Sequence, residues 1–171
     1  MVSLVIRRAT TKDIPSIVRI RLTTLTEEET VGFSAPLQAA TTSIKKLQEA
    51  WSEGNRLKNG FEVFLAEVGN CLAGYAMFGL VNGCTDCGYI DDIVVAKEQQ
   101  GKGIGKALVG HLEGIAKSKG CSVMKTDTTE NADGVAWRSY GFWIKMGYKD
   151  TGERLPTHFS FHEIPFTRRL E

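Results

Sequence analysis

The chain has almost no net charge: 21 Lys and Arg stand against 20 Asp and Glu, leaving +1 at pH 7. A domain that grips nucleic acid by its phosphates carries a basic excess or stripe. Basic clusters such as Arg168-Arg169 run to only two residues here, so nucleic acid is not an expected partner. Long apolar runs are also missing; none approaches the roughly 20 residues that span a bilayer, and no membrane partner is expected. The N-terminal Met1-Val-Ser-Leu-Val-Ile-Arg-Arg lacks the cationic start and apolar stretch of a secretory leader, so the expected location is cytoplasmic. Metal-ligand chemistry is thin. Of Cys71, Cys84, Cys87 and Cys121, only Cys84 and Cys87 form a C-x-x-C, and His111, His158 and His162 are scattered. A structural zinc calls for a second pair, so no metal is expected. Asn82-Gly-Cys-Thr-Asp-Cys-Gly88 is turn chemistry between apolar strands. It reads as two thiols at a hairpin tip, or a local disulfide, in preference to a redox or zinc centre.

What is present is ordinary for a globular domain. A chain of 171 residues fits one domain, taken as 1–171. Its 42% hydrophobic and 24% charged residues exclude disorder, collagen and coiled coil. Glycine alone is in excess, with 18 residues.

Periodicity gives an element order of β-α-α-β-β-β-α-β-α-β-β. Residues 3–7 read as a strand. Thr10 to Asp13 then offers capping groups ahead of a helix with Ile14, Ile17, Val18, Leu22 and Leu25 on one face and Pro15 in the tolerated first turn. A second helix is expected from Pro36, through Ile44, Leu47 and Trp51, to Gly54-Asn55. Phe61–Val68, Cys71–Val81 and Gly88–Val95 read as an antiparallel meander, because their connections are too short for crossovers. Ile104, Leu108, Leu112, Ile115 and Ala116 mark a helix ending at Gly120. A strand from Cys121 to Thr126, a helix from Val135 to Met146, and strands at Tyr148 and 157–162 complete the series.

The informative stretch runs from Tyr89-Ile-Asp-Asp-Ile-Val-Val95 through Gln100-Gly-Lys-Gly-Ile-Gly-Lys106. A strand enters a glycine-rich turn that opens a helix. Such a helix start presents unpaired N–H groups and the positive end of the dipole to an anion, and glycine lets the backbone come close. Lys102 and Lys106 add charge. A Walker loop does not fit, because Gln100 stands at its first glycine and Ala107 at its metal-binding hydroxyl. The dinucleotide fingerprint G-x-G-x-x-G fails in both registers.

Gln100-Gly-Lys-Gly-Ile-Gly105 does match Q/R-x-x-G-x-G/A, the acyl-CoA loop of the GNAT superfamily of N-acetyltransferases. Ile90-Asp-Asp-Ile-Val-Val95 resembles the strand before that loop in diamine and glucosamine-phosphate acetyltransferases. Phe142-Trp-Ile-Lys-Met-Gly-Tyr148 resembles the F-Y-x-K-x-G-F segment that closes the family's core. The similarity covers essentially the whole chain, most strongly residues 61–148.

The resemblance implies an α/β (α+β) fold, with a mixed, mostly antiparallel central sheet flanked by helices and two strands splayed at the acyl-CoA site. It implies acetyl-CoA as co-substrate and direct transfer of acetyl to a primary amine of a small molecule or peptide. It also implies main-chain contacts to pantetheine from Ile93, Val94 and Val95, and a diphosphate site at Gln100, Gly101, Lys102, Gly103, Ile104, Gly105 and Lys106. Asp91 and Asp92 occupy the positions of a water-relay base and an amine anchor, with Asp92 favoured as anchor and Asp91 as base. Neighbours on a regular strand point to opposite faces, so only one should reach the cleft unless a bulge intervenes. The family's usual tyrosine acid aligns with Trp143, whose indole does not ionise usefully. Trp143 is then a packing surface against cofactor or core, and the acid is Tyr140 or water. Asn131 is the candidate for the family's asparagine. Many members are dimers, so a homodimer is implied. The acceptor site is expected near Glu27, Glu28, Glu29 and the cluster His158 to His162. Those acidic residues suit a cationic amine, although an exposed charge run is the plainer account. The rival to an enzyme is a catalytically silent acyl-CoA-binding or regulatory module.

Overall fold

A computed structural model describes residues 3–26, 29, 40–157 and 160–171. Glu27, Glu28, Pro36, His158 and Phe159 lie outside the described residues. Strand β1 (Leu4–Arg8) leads through a single 3-10 turn at Thr11–Asp13 into helix α1 (Ile14–Thr24). Asp13 holds the entry, its carboxylate accepting the Thr10 N–H at 2.8 Å. The buried stripe of α1 contains Ile14, Ile17, Val18 and Arg21, while Leu22 is 53% exposed. The expectation for Leu22 is therefore corrected. Two helical turns bring position i+7 back over Ile14, and that position is Arg21.

Helix α2 (Ile44–Ala50) starts where the Ser43 hydroxyl accepts the Lys46 N–H. It stops earlier than expected. Trp51–Ser52 (β2) and Arg56–Leu57 (β3) pair as a small hairpin. Gly54 and Asn55, both at positive φ, form its turn instead of a helix cap. The expected meander is present as β4 (Glu62–Val68), β5 (Cys71–Leu80) and β6 (Cys87–Val95), all antiparallel. Helix α3 (Ile104–Ser118) and strand β7 (Val123–Glu130) follow.

The C-terminal elements depart most from the sequence expectation. The expected long helix is reduced to α4 (Ser139–Lys145). Asn131 organises the preceding residues into a turn, its side-chain oxygen accepting the N–H groups of Asp133 and Val135. The last strands are β8 (Lys149–Asp150), β9 (Leu155–Pro156) and β10 (His162–Arg169). Pro165 argues against a strand, yet β10 runs through it with Ile164 and Phe166 buried.

The sheet order is β1-β4-β5-β6-β7-β10-β8, with β9 against β10. Among the described residues only β6 and β7 pair in parallel, which requires a crossover; α3 supplies it. One core lies under α3 and α4, around Leu108, Met124, Trp143 and Phe166. The other lies under α1 and α2, around Ile17, Leu47, Tyr75 and Met77. The fold is thus a mostly antiparallel eight-stranded sheet flanked by helices. No helix among the described residues is long and apolar enough to cross a membrane. Cys84 and Cys87 form a disulfide across the β5–β6 turn, and Asp86 lies beside both sulfurs.

Candidate active site

The site begins with one extra residue. Met77 of β5 pairs with Asp92 and Phe78 pairs with Ile90, so Asp91 is a bulge. The alternation of β6 changes phase there. Ile90, Ile93 and Val95 belong to the α3 side, while Val94 lies on the α1 side. Asp91 and Asp92 consequently both line the same cleft, against the expectation for adjacent residues on a regular strand. The parallel pairing of β6 with β7 also ends at Ile90 and Thr126. Beyond that point the two strands diverge, and a cleft of about 720 Å³ occupies the gap.

The ladder sets which main-chain groups face the gap. Ala96 N–H donates to Ala73 O, and antiparallel hydrogen bonding alternates. Val94 therefore turns its main-chain groups to β5, and Ile93 and Val95 turn theirs away from it. Of the three residues expected to offer main-chain contacts, Val94 is the one whose groups the sheet uses. The Val95 carbonyl already accepts the Gln100 side chain at 2.9 Å, which ties the end of β6 to the loop.

In the glycine loop, Gly101 and Gly103 adopt φ of 75° and 83°, with open space where a Cβ would stand. Gly103 caps α3. The first-turn N–H groups of Ile104, Gly105 and Lys106 have no acceptor within the helix. Gly105 has a different reason to be glycine: a Cβ there would meet the Phe142 ring at 3.1 Å. Gln100, Gly101, Gly103, Ile104, Gly105 and Lys106 all line the cleft, whereas Lys102 does not; its ammonium donates to the Gln99 side chain.

The other end of the cleft is acidic. Arg21, only 1% exposed, pairs with Asp92 and donates to the Tyr75 hydroxyl at 3.1 Å; that hydroxyl donates to Asp92 at 2.9 Å. Burial, reinforced by the Asp92 charge and opposed by Arg21, holds the Tyr75 hydroxyl protonated far above its ordinary range. Asp91 is pushed up to about 7, first by loss of hydration and then by the neighbouring Asp92 charge. Asp127 on β7 also reaches about 7, chiefly through burial, although it accepts the Tyr89 hydroxyl.

Trp143 lines the cleft and is 2% exposed, packed between Phe142 and Tyr148 at ring distances of 5.0 Å. Tyr140 is not brought to the cleft. Its hydroxyl donates to Asp150 at 3.0 Å and its ring meets Phe166, because the late start of α4 turns that position outward. Asn131 is a turn former and likewise does not line the cleft. Sequence reasoning passed over Arg21, Asp127 and the hydroxyls of Thr128 and Ser139, which hydrogen-bond each other and line the gap. The one available signal was Arg21 in the apolar stripe of α1.

Residues 22–147 match the family model described as "Acetyltransferase (GNAT) family". The chain belongs to the GNAT acetyltransferase family. It is 35% identical over 80 residues to glucosamine 6-phosphate N-acetyltransferase of Candida albicans, covering 47% of this chain and 49% of that protein. It is 37% identical over 62 residues to the enzyme of the same name from Trypanosoma brucei brucei, covering 36% of this chain and 37% of that protein. The match therefore spans half the length of these relatives or less. Among solved structures, ribosomal-protein-alanine N-acetyltransferase from Brucella melitensis superposes with a TM-score of 0.71 at 21% identity, over 97% of this chain and 99% of that one. The PaiA N-acetyltransferase of Thermoplasma acidophilum, in complex with coenzyme A, does so with a TM-score of 0.71 at 18% identity, over 98% and 99%. These likenesses show a shared fold.

Proposed function

We propose that the chain is an acetyl-CoA-dependent N-acetyltransferase, acting directly on a primary amine of a small molecule or peptide. The observation that carries this is the juxtaposition, in one cleft, of a split between β6 and β7 with a glycine-rich helix start and a pair of carboxylates. The residues present fit an acyl-CoA. Gly101 and Gly103 leave room beside the first-turn N–H groups of α3 for a diphosphate, with Lys106 adding charge. Ile93 offers a free strand edge to an amide-bearing arm. When bound, acetyl-CoA supplies an activated acetyl thioester.

The rest is done by side chains of this chain. An amine attacks only when neutral, so a base must take its proton. Asp91, held near neutrality by burial and by Asp92, is that base, directly or through water. Asp92 is fixed by Arg21 and Tyr75 and serves as the anchor that orients the amine. As the nitrogen–carbon bond forms and the carbon–sulfur bond breaks, the departing sulfur takes up one proton. Among the described residues no tyrosine lines the cleft, so water supplies that proton, held by the hydroxyls of Thr128 and Ser139.

That same lack of a tyrosine is the observation favouring a second reading, an acyl-CoA-binding module without turnover. Thiol release from acetyl-CoA, followed over a panel of amines, separates the two. Amine-dependent release is the expected result. Tight acetyl-CoA binding with no release on any amine would overturn the enzyme and favour the module.

A further inference from the structure

The loop end of the cleft is rich in N–H groups; the acceptor end is rich in carboxylates. Asp91 and Asp92 come from β6 and Asp127 from β7. Glu163 of β10 stands beside them on the sheet, next to the cleft lining and not part of it. Pro165 stands opposite Asp127 and Glu163 opposite Thr129, so Glu163 is the diagonal neighbour of Asp127 on one sheet face. Their charges act on two of the four: Glu163 and Asp92 raise Asp91, and Glu163, Asp91 and Asp92 raise Asp127. Against them stands the guanidinium of Arg21, committed to Asp92 and Tyr75. Asp127 accepts the Tyr89 hydroxyl, and among the described residues neither Asp127 nor Glu163 forms an ion pair.

The cleft's other cations are engaged or distant. Arg138 is held by Glu29 and the Thr24 carbonyl, both at 3.3 Å. Arg168 is held by Glu113. Lys106 belongs to the glycine loop and Lys145 to α4. A phosphate on the acceptor would enter a field of four carboxyl groups with no uncommitted guanidinium to meet it. A second ammonium would enter the same field with attraction.

We propose, on the basis of the acetyltransferase function above, that this site selects an acceptor with a second cationic group besides the amine that is acetylated: a diamine or polyamine, whose distal ammonium is held by Asp127 and Glu163. The transfer balances as one ammonium and one acetyl thioester giving one amide, one thiol and one released proton, with the distal ammonium unchanged.

The test compares 1,4-diaminobutane with 1-aminobutane, of equal length and one charge fewer, and with glucosamine 6-phosphate. The diamine should exceed the monoamine in kcat/KM by about tenfold or more, the low end of measured couplings between close charges. The double variant Asp127→Asn/Glu163→Gln should bring that ratio close to one. Equal kcat/KM for diamine and monoamine, a higher value for glucosamine 6-phosphate, or a ratio unmoved by the variant would overturn the proposal. Should the double variant not fold, Glu163→Gln alone carries the test, since that side chain is only half-buried. Should no amine be turned over, the acetyltransferase function fails. Calorimetry in the presence of CoA then decides the acceptor class: tighter binding of diamine than of monoamine upholds it, and equal binding overturns it.

Discussion

The two ends of the cleft are built by different means. The loop end is a consecutive stretch of backbone, from Ile93 to Lys106, and uses N–H groups that a helix start leaves unpaired in any case. The acceptor end is made of side chains: Arg21 from α1, Tyr75 from β5, Asp91 and Asp92 from β6, Asp127 from β7 and Glu163 from β10. The first costs the fold little. The second stores like charge in a partly dehydrated space, where Asp91 and Asp127 sit at about 7 against an ordinary 3.8. Such unfavourable placement is typical of groups kept for chemistry.

The largest expected effect lies at the costly end. Asp91→Asn should lower kcat/KM by about 10²-fold to 10⁴-fold, the range for loss of a general base. In the parent protein kcat/KM should rise with pH through about 7 as Asp91 loses its proton, and the variant should lose that limb. A retained limb would assign the titration to Asp127. Stability should move the other way. Because the folded-state value lies above the unfolded one, folding takes up a proton between about pH 4 and 7. The charged Asp91 costs nothing below that window and most above it. Asp91→Asn should therefore melt higher than the parent at pH 8, with the gain shrinking toward pH 4; a variant less stable at pH 8 would mean that the carboxylate is well solvated.

Next comes the partner of Asp92 on α1. Arg21→Met leaves Asp92 buried without its guanidinium, and breaking a buried pair in this way costs about 3–5 kcal/mol. Thermal melting should register it as a clear loss, and an unchanged melting temperature would show that the pair is not coupled to the fold. At the loop end the expected effect is smaller and confined to binding. Gly103→Val forces a side chain into a left-handed conformation, at about 1–2 kcal/mol, and fills the open space beside the helix start. Acetyl-CoA affinity should fall by about tenfold or more while circular dichroism stays that of the parent; unchanged affinity would remove the loop from the binding site.

This contrast also explains how far the sequence could be read. The meander, α3 and the glycine loop were legible because each is written in consecutive residues: short connections, a 3.6-residue period, a glycine pattern. The family segments came from the same stretches. The bulge at Asp91 was not legible, since no residue type there demands it; it arises from pairing with β5. Arg21 was hidden because a charged residue in an apolar stripe is read as a boundary of that stripe. Asp127 and Glu163 meet only through the β7–β10 register. The short α4 follows from Asn131 bonding its own turn, a local competition that apolar spacing does not reveal.

The smallest expected effect concerns the residue that sequence spacing put forward and the fold turned outward. Tyr140 lies one helical turn before Trp143 and would have supplied the missing hydroxyl. In the structure its hydroxyl donates to Asp150, which is also held by Arg154 and the Gly152 N–H. The hydrogen bond to the Asp150 carboxylate foremost, against the opposing charge of Arg154, raises the Tyr140 hydroxyl above its ordinary value, the wrong direction for an acid poised near neutrality. Tyr140→Phe removes one hydrogen bond at a half-buried position outside the cleft and keeps the ring against Phe166. Turnover should stay within about twofold of the parent across the pH range, as for a surface substitution away from the chemistry. A loss of turnover that deepens at high pH would return Tyr140 to the role of acid. It would also mean that α4 moves when acetyl-CoA binds, so that the hydroxyl exchanges Asp150 for the departing sulfur.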